Sequence, residues 1–264
     1  MFIIFSSIKA IITQVDNYYY LLHNKSVRNY KTEAIVLRRD KFGEKDRLIT
    51  TFTRSFGKKT LLAKGARRPE SRFASATNLF SRLDIVVAKG RSIDILTEAN
   101  IINSHSAISN DLQKAKLAYW IGEVVTNSTH DEEPLPALYE LLVNSLNVID
   151  KKGERRIVDF FAFNCLSILG YKPELNKSVY SQDPLCENGD YLFSPLLGGI
   201  TENHPQNEGR AISAETIKAM RFLQNPWEKV EKLRLCQRVE KELHLHVCAF
   251  TETVIERAIK SEKL

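Results

Sequence analysis

The chain has 264 residues, of which 43% are hydrophobic and 27% charged, with a net charge of +6 and a pI near 9.0. That composition is ordinary for a globular protein and excludes a fibrous, low-complexity or natively disordered chain. The basic balance favours a nucleic acid, an acidic lipid surface or an acidic protein as partner, and charge alone does not choose among them. The charge is unevenly spread. Residues 1–30 carry +2, residues 31–106 carry +8, and residues 107–264 carry −4. From Arg38 to Arg72 there are 12 Lys/Arg against 4 Asp/Glu.

The opening MFIIFSSIKAIITQVDNYYYLL looks superficially like a signal sequence, but it has no basic lead-in and no small-residue cleavage site. Lys9 and Asp16 interrupt it, so it is too short to span a bilayer, and a cytoplasmic protein with no membrane partner is expected. Residues 1–29 read as an extension that shares no pattern with the strands after it, with Val27 as an alternative start. Residues 33–37, 46–53, 58–63, 79–88 and 92–102 then read as five strands, enriched in β-branched and aromatic residues and separated by turn signals such as Lys41-Phe42-Gly43 and Ser55-Phe56-Gly57. The polar piece Gly65–Asn78 reads as a loop with a short helix. Five short strands with an insertion after the third predict a closed barrel of the OB type over residues 30–106.

From Asn110 the apolar period becomes helical. Helices are expected over 110–127, capped by Ser109 or Asn110, then over 135–150, 154–170 and 213–224, and over 226–259 with a break. Residues 172–211 hold Pro173, Pro184, Pro195 and Pro205 and show no period, so an irregular insert is predicted there. The expected fold class is therefore α+β: an OB barrel, then an all-helical domain over 107–264 carrying that insert.

Little catalytic chemistry is visible. SFGKKT at 55–60 fails as a phosphate-binding loop, because no glycine lies five residues before Gly57 and Lys58 is followed by Lys59. The six histidines form no metalloprotease or triad motif, and the four cysteines form no CxxC and read as thiols in a reducing compartment. No enzyme, cofactor or metal is expected. The cations Arg38, Arg39, Lys58, Lys59, Lys64, Arg67, Arg68 and Arg72 are the candidate phosphate contacts, since guanidinium and ammonium groups displace counterions from nucleic acid. Phe42, Phe52, Phe56, Phe73 and Phe80 are either stacking surfaces for bases or core residues.

TEAIVLRR at 32–39, GEKDRL at 43–48, the T-x-x-x-G-K step at 53–58, AKGARRPESR at 63–72, ILGYKPEL at 168–175 and YLFSPLLGGI at 191–200 together resemble the RecO family of bacterial recombination and repair mediators. The resemblance runs from about Tyr30 to Ile200. It implies an OB fold followed by helices, binding of single- and double-stranded DNA, annealing of complementary strands, and help in loading recombinase onto DNA coated with single-strand-binding protein. It implies as partners RecR, often RecF, the tail of the single-strand-binding protein and, indirectly, RecA. A protein adaptor and an RNA-binding barrel stay as alternatives. Many members also carry two cysteine pairs for zinc. Here those positions fall on Ser178, Ser181, Glu202 and Pro205, so the resemblance implies that the metal site is lost.

Overall fold

The computed structural model describes residues 29–186, 189–204 and 208–263. The extension, with Val27, and the ligand position at Pro205 lie outside the described residues. The chain divides into two compact units: residues up to Ser104 together with Asp131–Pro134, and His105–His130 together with Leu135 onward.

The first unit is built on strands β1 (Asn29–Phe42), β2 (Asp46–Thr53), β3 (Gly57–Ala63), β4 (Arg82–Ala88) and β5 (Asp94–Asn103), with the short helix α1 (Phe73–Ala76) between β3 and β4. They close a barrel in the order β1-β2-β3-β5-β4, with β3 and β5 parallel and every other pair antiparallel. Closure follows from alternation. Leu83, Ile85 and Val87 of β4 point inward with Ala34 and Val36 of β1, Ile49 of β2 and Leu61 of β3, all fully buried. Phe73 and Ala76 bring α1 onto the same core. Each large aliphatic or aromatic residue buried this way contributes about 1.5–3 kcal/mol.

The β1–β2 ladder carries a register shift between Val36 and Arg38. Such a bulge bends its strand and re-aims the side chains beyond it. Before it β1 is mostly buried, and after it Arg38–Phe42 are all exposed. Because β4 pairs with β1 only as far as Ile35, this last stretch of β1 has β2 as its one ladder partner.

In the second unit the helices are α2 (Ser106–Asn110), α3 (Leu112–Ser128), α4 (Pro136–Lys152), α5 (Arg156–Ile168), α6 (Ala214–Phe222), α7 (Trp227–Val230) and α8 (Gln237–Val254). Asp111 caps α3, accepting hydrogen bonds from the backbone N–H groups of Gln113 and Lys114 at 2.8 and 3.1 Å. The predicted cap at Ser109 or Asn110 is thus displaced, because those residues close the extra helix α2. The break expected within 226–259 separates α7 from α8.

The predicted all-helical character needs one correction. The insert is not irregular: it holds a four-stranded sheet, β6 (Glu174–Ser178), β7 (Tyr191–Ser194), β8 (Gly199–Glu202) and β9 (Arg210–Ile212), in the order β6-β8-β7-β9. Its strands have three to five residues, and all four residues of β7 are buried. Strands that short, two of them buried on both faces, leave no alternation to read.

Candidate nucleic-acid interface

Two sequence motifs meet at one end of the barrel. Asp46 opens β2, and its carboxylate accepts from the Gly65 N–H at 2.7 Å. The Arg67 N–H donates to the Lys45 carbonyl at 2.9 Å, and the Arg67 guanidinium donates to the Gly43 carbonyl at 3.0 Å. These three bonds fasten the loop after β3 to the β1–β2 turn. Gly43 and Gly65 both adopt positive φ, +57° and +67°, which glycine does without a steric penalty.

The fastening gathers cations. Arg39 projects beside Asn78, donating to its Oδ1 at 2.9 Å. Arg47 donates to Thr77 Oγ1 at 2.6 Å, which ties β2 to the end of α1. Partial burial and the neighbouring guanidinium groups of Arg39 and Arg67 lower the Arg47 pKa below the ordinary arginine value. Arg39 and Arg67 lie close enough to Arg47 to disfavour its charge, and an anion bound among the three would offset that repulsion. Lys41, Lys45, Lys64 and Arg68 are exposed on the same turn and loop or beside them, apart from the partners named above. Arg38 is exposed too, but its guanidinium is turned to Asp40, at 2.9 and 3.1 Å. Arg72 lies over the Phe73 ring at 5.0 Å and donates to the Thr97 carbonyl at 2.7 Å.

Lys58 and Lys59 do not join this cluster. They face the other end of β2, opposite Phe52 and Thr51, whereas Arg47 faces Ala63. The segment Asp131–Glu133 meets them there. The Glu132 N–H donates to the Lys58 carbonyl at 3.0 Å, Lys58 pairs with Asp131 at 3.5 Å, and Lys59 pairs with Glu132 at 2.6 Å and Asp94 at 3.7 Å. The Lys59 side chain is only 10% exposed and lies 5.8 Å from the Tyr30 ring centre. Gly57 lets this segment approach, since a Cβ there would lie 2.1 Å from the Glu133 carbonyl oxygen.

Among the five phenylalanines, Phe52, Phe73 and Phe80 are buried and Phe56 packs on Tyr30 at 4.4 Å between ring centres. Phe42 is 43% exposed, at the tip of the arginine-bearing hairpin. Sequence reasoning missed Arg47, although it lies inside the GEKDRL motif; its place opposite Ala63, beside the loop, is set by strand register and not by any local signal.

In the second unit, three of the four positions aligned with metal ligands come together through hydrogen bonds. Ser178 and Ser181 hydroxyls donate to the two carboxylate oxygens of Glu202 at 2.7 and 2.6 Å. Those bonds hold the Glu202 pKa below the usual carboxylate value. Two hydroxyls and one carboxylate are a poor zinc donor set. Among the described residues no group of three or more His, Cys, Asp or Glu is arranged to hold a metal ion, and no helix is long and apolar enough to cross a membrane.

The class defined by these features is a barrel-and-helix protein with a cationic barrel end. Comparison with known proteins carries the assignment further. Residues 27–105 match the family model "Recombination protein O N terminal", and residues 109–263 match "Recombination protein O C terminal". A DNA repair protein RecO from Bifidobacterium adolescentis is 31% identical over 243 residues, which cover 89% of this chain and 98% of that one. One from Thermoanaerobacter sp. is 30% identical over 244 residues, covering 89% and 96%. One from Dehalococcoides mccartyi is 29% identical over 237 residues, covering 88% and 93%. The chain belongs to the RecO family of DNA repair proteins.

Proposed function

We propose that this protein is a non-catalytic mediator of recombinational repair that binds single- and double-stranded DNA through the β1–β2 end of its barrel. It anneals complementary strands and helps to load recombinase on DNA coated with single-strand-binding protein. The observation that carries this reading is the convergence of Arg39, Arg47 and Arg67, with four exposed cations around them, in a chain of this family. Phosphates bind such a cluster without reference to sequence, and the exposed Phe42 offers a face on which a base stacks. The less basic helical unit is the surface for proteins: RecR, RecF and the tail of the single-strand-binding protein, with RecA reached indirectly. The setting is the bacterial cytoplasm, at the nucleoid.

The test is a salt titration of binding to a labelled oligonucleotide, with strand annealing measured in parallel. The triple variant Arg39→Ala, Arg67→Ala, Arg68→Ala is expected to lower the slope of log K against log salt by about 2–2.7, at about 0.7–0.9 for each phosphate contact. It is also expected to slow annealing of complementary strands. An unchanged slope and annealing rate removes this end of the barrel from the interface. Equal affinity for RNA and DNA of one length would favour the RNA-binding alternative.

A further inference from the structure

The helical unit holds a titratable cluster that DNA binding does not use. Asp159 lies on α5, and its side chain is 6% exposed. Its Oδ1 is 2.6 Å from Nδ1 of His244 on α8. One turn further along α8, Cys248 places its sulfur 3.4 Å from His244 Nε2 and 3.8 Å from Nδ1. With Nδ1 engaged by Asp159, Nε2 is the ring nitrogen nearer the sulfur and the one that can hydrogen-bond it. Beside the pair lies a cavity of about 260 Å³ lined by Glu154, Arg155, Arg156, Glu240 and Lys241 as well as Asp159 and His244. Its three carboxylates balance its three Arg and Lys side chains, so the lining does not impose one strong sign of charge.

A carboxylate this far from water stays ionised when a cation neutralises it, and a histidine at 2.6 Å supplies that cation as imidazolium. Burial lowers the His244 pKa, but hydrogen bonds to Asp159 and Cys248 and the charges of both outweigh it, giving about 11. An imidazolium fixed against the sulfur of a half-buried cysteine is the environment that favours thiolate over thiol.

We propose that Cys248 is a modification site, a thiolate kept by the His244–Asp159 pair that reacts with small hydroperoxides. The sulfur attacks the terminal oxygen of the peroxide. An S–O bond forms as the O–O bond breaks, sulfur is oxidised to the sulfenic acid, and the departing alkoxide or hydroxide takes a proton from water and leaves as alcohol or water.

The other cysteines serve as internal standards. Cys186 and Cys236 are exposed, whereas Cys165 is buried, its thiol pushed up to about 12 by burial. The full chain is alkylated with iodoacetamide from pH 6 to pH 9, and each cysteine's rate is read by peptide mass spectrometry. At pH 6 Cys248 is expected to react about tenfold faster than the exposed Cys186 and Cys236, after allowance for the weaker nucleophilicity of a stabilised thiolate. By pH 9 that order reverses, and Cys165 stays unlabelled. The variant His244→Gln, checked for folding by circular dichroism, loses the advantage at pH 6 while Cys186 and Cys236 keep their rates. Dilute hydrogen peroxide followed by dimedone then labels Cys248 in the unaltered protein. Parallel pH curves for Cys248 and Cys236 would overturn the thiolate, and the absence of a dimedone adduct would overturn the oxidation.

Discussion

Two arginines at the barrel end and one in the helical unit are held in contrasting ways. In the barrel, Arg39 and Arg67 are exposed and rest on an amide oxygen and a backbone carbonyl, with no carboxylate among the described residues paired to either. In the helical unit Arg156 is 12% exposed, donates to the Leu233 carbonyl at 2.7 Å and pairs with Glu240 at 2.6 Å. A neutral acceptor orients a guanidinium without cancelling its charge, while a carboxylate cancels it. Net charge therefore says less about where a polyanion binds than the identity of each cation's own partner. The same rule divides the barrel itself, where Lys58 and Lys59 are met by the acidic segment Asp131–Glu133 and the β1–β2 end is not.

The largest expected effect sharpens this division within the barrel. Gly57 and Gly43 both have positive φ, +64° and +57°, but a Cβ at Gly57 strikes the Glu133 backbone while one at Gly43 meets nothing within 4 Å. Gly57→Ala is expected to cost about 2–5 kcal/mol, a left-handed conformation plus an overlap, and Gly43→Ala about 1–2. Urea denaturation of both variants decides; equal losses would mean that the acidic segment does not pack against Gly57. Next comes a pair across the two units. Arg156→Ala is expected to destabilise the helical unit by about 1–3 kcal/mol, because it takes the donor from the Val230 and Leu233 carbonyls, while the exposed Glu240 turns to water. Arg67→Ala is expected to change stability by less than about 1 kcal/mol and the salt slope by about 0.7–0.9. A destabilising Arg67→Ala with no change in slope would reverse the assignment of roles.

Acid is expected to separate the units as well. Burial holds His246 below the ordinary histidine value in spite of the Glu242 carboxylate nearby. A histidine that resists charging in the fold leaves stability intact above about pH 6.5 and removes it below, by up to about 1.4 kcal/mol per pH unit. For Glu242, burial raises the pKa, but hydrogen bonds from Ser213 and Thr216 outweigh it, and Glu202 is held low by its two serines. Depressed carboxylates add a second loss as pH falls below about 4.5, with the partly exposed Glu202 contributing little. In the barrel, burial and the hydrogen bond to Asp94 raise the Tyr30 phenol, which leaves its contribution whole below about pH 10 and lost above. Both tryptophans, Trp120 and Trp227, lie in the helical unit, so their emission on acidification reports that unit alone. A transition no different in His246→Gln between pH 7 and 5 would show that the histidine plays no part in it.

The smallest effect is expected from Lys58→Ala with Lys59→Ala. Its influence on DNA affinity should stay within about twofold, against the steep loss at the β1–β2 end. A salt slope reduced by more than about 1 would show that DNA displaces the acidic segment and reaches both lysines.

Much of this was legible in order along the chain. Alternation in RLDIVVA and the β-branched apolar run EAIVL located two barrel strands, and the change of period after Asn110 located the helices, because side-chain direction repeats every 2 residues in a strand and every 3.6 in a helix. The insert was not legible. YLFS and GIT are buried on both sides, and a four-residue strand has too few positions to show a period. The eight candidate cations were chosen by charge, which is visible in a sequence. Their partners were not, because Lys59 meets Glu132 across 73 positions and Arg39 meets Asn78 across 39.

By itself the sequence determined a closed barrel of the OB type, a helical second half, a cationic block and the family to which the chain belongs, since local periodicity, composition and ordered motifs carry all four. Only the tertiary structure decided which cations stay uncompensated, that GEKDRL and AKGARRP form one end of the barrel, and that Asp159, His244 and Cys248 stand together. Those outcomes depend on register, on a one-residue bulge and on helix packing, each of which joins residues that no local pattern links.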